Sequence, residues 1–123
     1  MIACMKRLIE KSTRKLIELT REILTYVGDT DDIEWYDKKI REVFELKDCE
    51  LPVSLHIALM SMAMISKATR IAFSAHIEFA PPNAIRNYNE IDDDVLRGFI
   101  KDALFLVHTI LSVYSLSYFD LQL

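Results

Sequence analysis

The sequence predicts an all-α fold: a compact four-helix bundle in a single domain that assembles as a homodimer. Only two glycines and three prolines punctuate 123 residues, too few turn formers for many short strands. Apolar residues recur at intervals of three and four through long segments, the period of a helix that buries one face. The length is that of one domain with one core.

The first helix is predicted over residues 5–27. Met5, Leu8, Ile9, Leu16, Leu19, Ile23, Leu24 and Val27 trace its buried face, with Ser12 interrupting the stripe. Gly28 stops it, because glycine enters the left-handed conformation without a steric penalty. Asp29, Thr30, Asp31 and Asp32 then offer N-caps, and Asp31 with Glu34 resembles a capping box. The second helix, 31–47, turns Ile33, Tyr36, Ile40, Val43 and Phe44 to one side. Pro52 suits the first turn of a third helix, 52–79, where a missing N–H costs nothing. Pro81-Pro82-Asn83 ends it, since proline cannot continue the ladder. Asp92-Asp93-Asp94 open the fourth helix, 93–117.

The third helix carries no formal charge before Lys67, and the fourth none between Asp102 and Asp120. Each uncharged run is shorter than the roughly 20 residues a membrane span needs. Burial in protein is therefore expected, with no membrane partner. Met60, Met62, Met64, Ile65, Phe105, Leu106, Val107, Ile110, Val113 and Tyr114 exceed what the inward faces of so small a monomer should hold. A homodimer through the third or fourth helix would cover the remainder with the commonest oligomer symmetry. Alternatively, both helices sit between other elements in one unusually apolar core, or the surface holds another protein partner.

The net charge of −4 argues against non-specific duplex DNA binding, which depends on clustered Lys and Arg. Cys4 and Cys49 have neither metal-knuckle spacing nor the density of a disulfide scaffold. The first residues enter a charged helix without an apolar leader. These features suggest a cytoplasmic protein.

With only Gly28 and Gly98, no glycine-rich phosphate loop is available, and no nucleotide cofactor is expected. His56, His76 and His108 lack metal-ligand spacing, so no metal is expected either. His56 and His108 lie in apolar helices and read as satisfied structural imidazoles. Arg7, Lys11, Arg14 and Arg21 line one side of the first helix. There, residues 1–27 hold six basic and three acidic side chains. The face is either solvated or a track for a phosphate backbone.

Arg70 and His76 admit two readings. They could be a solvated arginine and a histidine favoured by the negative end of a helix. Alternatively, the imidazole could take a proton from a ribose 2′-hydroxyl while the guanidinium stabilises charge on the phosphate. Six residues on one helix rotate by about 240°. The two groups would therefore converge more easily across a dimer axis. Asp92-Asp93-Asp94 reads as a helix start rather than a metal site.

The four-helix order, the expected dimer and an Arg followed by His near the junction of the third and fourth helices together resemble the HEPN superfamily. The stretch from Tyr88 to Leu96 is similar to the segment leading into the last helix of HEPN toxins paired with small nucleotidyltransferases. The resemblance implies a dimer that binds or cleaves RNA without metal, with His76 as base and Arg70 as phosphate-binding group. Ile71 stands where the family often has Asn, and Glu78 where it often has Tyr. Arg86-Asn87 offers a second alignment with no histidine at the required distance, which would make the chain a non-catalytic member. The contrasting expectation is a helical interaction module, either a dimeric adaptor or a small subunit of a nucleoprotein complex such as a CRISPR effector.

Overall fold

The computed structural model describes residues 3–46, 52–73 and 93–122. The described residues form four helices: α1 (Ala3–Tyr26), α2 (Thr30–Glu45), α3 (Val53–Phe73) and α4 (Asp94–Gln122). Among the described residues there is no strand, and no helix is long and apolar enough to cross a membrane.

Between α1 and α2 the chain reverses in three residues. Gly28, at φ +78°, donates to the Thr25 carbonyl, and Asp29 donates to that of Leu24. This pair of bonds is the Schellman arrangement, which occupies two carbonyls that the end of a helix would leave unpaired. Asp29 then caps α2, its side chain accepting from the Asp32 N–H at 3.3 Å. The cap is thus two residues earlier than the Asp31 capping box anticipated from the sequence. The Pro52 carbonyl accepts from Leu55 and His56, which sets Pro52 just before α3 rather than in its first turn. At α4 the cap is Asp93, whose Oδ1 accepts from the N–H groups of Val95 and Leu96 at 3.0 and 3.1 Å. The expected end of the third helix near residue 79 and its Pro81-Pro82-Asn83 stop lie outside the described residues. The fourth helix continues to Gln122, past the predicted end at Ser117.

Helix α1 packs against all three other helices, and α3 against α1, α2 and α4. That position explains the composition of α3. A helix with three neighbours needs an apolar surface over most of its circumference, and Ile57, Ala58, Met62, Met64, Ile65 and Ala68 are all buried. On α4 the buried set among the described side chains is Leu96, Ile100, Ala103, Leu104, Val107, Ile110 and Val113, a single broad stripe.

Sequence periodicity overestimated the apolar surplus. Of the ten residues judged too many for one monomer, Met62, Met64, Ile65, Val107, Ile110 and Val113 are buried within the single chain. Met60, Leu106 and Tyr114 are half-buried, and Phe105 stands out at 72% exposure. The physical reason is the broad contact of α3 with three neighbours, which a one-stripe picture does not allow for. Two residues assigned to buried stripes, Leu8 and Phe44, are exposed.

Candidate functional site

Arg7, Lys11 and Arg14 are exposed on α1 at intervals of four and three residues, which brings them to one face of the helix. With Glu10, Lys15 and Glu18 they line a shallow depression. Among the described residues none of the three cations has an ion-pair partner. Arg21 belongs to the same stripe but is engaged elsewhere. Its Nε lies 3.0 Å from Asp37 Oδ1, tying α1 to α2. Arg21 is thus paired across to α2, while the other three cations have no ion-pair partner among the described residues.

Arg70 falls in the last turn of α3, but its side chain and the whole of His76 lie outside the described residues. So do Cys49, Arg86-Asn87 and Tyr88 to Asp92. Cys4 is an exposed free thiol. His56 and His108 are half-buried on α3 and α4. Among the described residues no group of three His, Cys, Asp or Glu side chains is placed to hold a metal ion.

A second feature is not apparent from the sequence. A cleft of about 540 Å3 opens where α1 meets the end of α2, the start of α3 and α4. Ile9, Ile17, Phe44, Val53 and Tyr114 supply apolar wall, while Lys6, Glu10 and Arg14 add charge. Thr13, 5% exposed, also lines it, and its hydroxyl is buried without a hydrogen-bond partner. The adjacent Ser12 and Thr13 in an otherwise apolar stripe were the available signal. What they line, however, is assembled from four separate helices.

At the opposite end of α1, the Tyr26 hydroxyl donates to Asp93 Oδ2 at 2.7 Å, and the Tyr26 ring meets Phe99 edge to face, with centroids 6.1 Å apart. The Tyr26 hydroxyl, followed by the Leu96 and Val95 N–H groups, holds the Asp93 carboxyl below its ordinary range. These contacts join the end of α1 to the start of α4. The central aspartate of the triad is accordingly a cap and a strut.

The chain matches no family model, no curated protein and no solved structure.

Proposed function

We propose that the chain is a HEPN-like helical dimer that binds or cleaves RNA by a metal-independent mechanism, with the outward face of α1 as its RNA-binding surface. The observation that carries the reading is the row of exposed cations Arg7, Lys11 and Arg14, without ion-pair partners among the described residues. In a chain of net charge −4 this local surplus gives a phosphate backbone one favourable place to lie.

Cleavage rests on Arg70 and His76, through the resemblance to the HEPN superfamily. The neutral His76 imidazole takes the 2′-hydroxyl proton, and the 2′-oxygen attacks the adjacent phosphorus. The 5′-oxygen leaves, taking a proton from solvent, while Arg70 stabilises the charge on the non-bridging oxygens. Dimerisation is part of the proposal, because two residues six apart on a continuous helix would be turned about 240° from each other, and a second subunit could bring the two groups together.

The test uses purified full-length chain and single-stranded RNA in EDTA. Cleavage should leave 2′,3′-cyclic phosphate ends and spare DNA, and His76→Ala should abolish it. The triple substitution Arg7→Glu, Lys11→Glu, Arg14→Glu should weaken RNA binding and flatten its salt dependence, by about 0.7 in the log–log slope for each phosphate no longer neutralised. Equal RNA degradation by wild type and His76→Ala would overturn the catalytic reading. An unchanged salt slope in the triple variant would overturn the α1 face.

A non-catalytic interaction module is the second reading, favoured by the exposure of Phe105 and Leu59 on the outward faces of α4 and α3. Under it RNA survives, and Phe105 substitutions disrupt association far more than any change at Arg70.

A further inference from the structure

The cleft between α1, α2, α3 and α4 is chemically unlike the cationic face of α1, although Arg14 borders both. Its volume of about 540 Å3 falls in the range of small-molecule sites, roughly 300–1,000 Å3. Aliphatic Ile9, Ile17 and Val53 with aromatic Phe44 and Tyr114 dominate the wall. Among the described residues Lys6 and Arg14 are opposed by Glu10, a surplus of one positive charge, and none of these three has an ion-pair partner there.

Thr13 supplies an independent observation. Threonines inside helices commonly donate to the carbonyl four residues back. Thr20, Thr25, Thr69 and Thr109 all do so here, at 2.8 to 3.0 Å. Thr13 does not. Its hydroxyl is buried without a partner in the wall of the cleft, where it has given up hydration for no bond in return. A valine would have packed the same volume without that cost.

We propose that this cleft binds a small amphipathic anion, a carboxylate with an unbranched alkyl tail. The tail lies against Ile9, Ile17 and Val53. The headgroup faces Arg14 and Lys6, and a change of Thr13 rotamer turns its hydroxyl into the cleft to donate to it. The apolar wall accounts for the tail, the excess positive charge for the sign of the headgroup, and the unpartnered hydroxyl for its hydrogen bond. The site shares Glu10 and Arg14 with the cationic face of α1, while Lys6, Thr13 and the apolar wall belong to the cleft.

The experiment titrates the full chain, carrying labelled Ile and Val methyl groups, with sodium decanoate and separately with decyltrimethylammonium. Decanoate should produce saturable, one-to-one shifts centred on Ile9, Ile17 and Val53, and the cationic amphiphile should bind about tenfold or more weakly, which is at least about 1.4 kcal/mol. Thr13→Val should loosen decanoate severalfold without lowering the melting temperature, a result that a purely structural hydroxyl would not give. Ser54→Trp, which places an indole at the start of α3 in the cleft, should remove decanoate binding while RNA binding persists. The proposal is overturned if decanoate gives no saturable shifts, if the two amphiphiles bind alike, or if the shifts survive Ser54→Trp. Methyl shifts that follow protein concentration without any amphiphile would put a second copy in the cleft and overturn it equally.

Discussion

Among the described residues Tyr36 is the largest side chain removed completely from solvent, and its hydroxyl lies 2.7 Å from Ser61 Oγ in the core. Burial raises the phenol above its ordinary pKa, with Ser61 and then Thr20 partly offsetting the shift. The ring fills the space between helices while its polar tip requires a partner. Truncating Tyr36 takes this partner from Ser61, and truncating Ser61 leaves the phenol with Thr20 alone. Tyr36→Phe or Ser61→Ala should each cost about 1–3 kcal/mol, because a buried polar group is left without compensation. The double variant should cost clearly less than the sum of the two, since it leaves neither partner orphaned. Urea unfolding of all four proteins checks this, and strict additivity would show that the bond contributes nothing specific.

At the scale of elements, the junction of α1 and α2 concentrates several tasks in few residues. Gly28 turns the chain, and Asp29 both completes the end of α1 and caps α2. Lys67 on α3 reaches Asp32 in the first turn of α2, with Nζ 2.7 Å from Oδ2. Hydrogen bonding to the Asp32 carboxyl, followed by burial, raises the pKa of Asp29. Asp32 is lowered by Asp29 and then by Lys67. The signs oppose one another. Asp32 contributes stability that is present above the unfolded carboxylate pKa and lost as pH falls through its depressed value. Asp29 contributes stability that is full below the unfolded pKa and lost as pH rises through its raised value. Asp29→Asn keeps a capping side chain and removes the ionisation. Relative to wild type, the variant should therefore gain melting temperature as pH rises through the carboxylate range, with a plateau near neutrality. Thermal melts from about pH 3 to about pH 8 test the sign, and a difference that shrinks with rising pH would contradict it.

The whole molecule is organised around α1 and α3, each of which touches the other three helices. Among the described residues Leu8, Tyr26, Trp35, Phe44 and Leu46 are exposed on the side of α1 and α2, while the exposed apolar side chains of α3 and α4 are Leu59, Ala63, Val95 and Phe105. A dimer that uses this surface would be held by few anchors, of which Phe105 is the largest. Phe105→Glu should convert a dimeric species to one of 14.3 kDa in sedimentation equilibrium. Its melting temperature in dilute solution should change little, because the side chain is 72% exposed in the single chain. A wild-type chain that sediments as a monomer at micromolar concentration would remove the dimer from the proposed mechanism.

The periodicity of apolar residues made the four helices and the all-α class readable, because a helix that buries one face repeats its chemistry locally every three or four residues. Gly28 was readable for the same reason: the end of a helix is a local event. Asp29 as cap, rather than Asp31, was less so, because adjacent acidic residues can each satisfy the same N–H groups and only the path of the incoming chain chooses between them. Arg7, Lys11 and Arg14 could be assigned to one face from spacing alone, whereas the diversion of Arg21 to Asp37 depends on how α2 is laid beside α1. Tertiary packing also decided that Met62, Val107 and Ile110 belong to one chain's interior, since a sequence does not state how many neighbours a helix will have. It alone created the Tyr36–Ser61 pair, from residues 25 apart, and the cleft around Thr13, whose walls come from four helices. Local chemistry is written residue by residue, but a shared surface exists only after separate helices have been brought together.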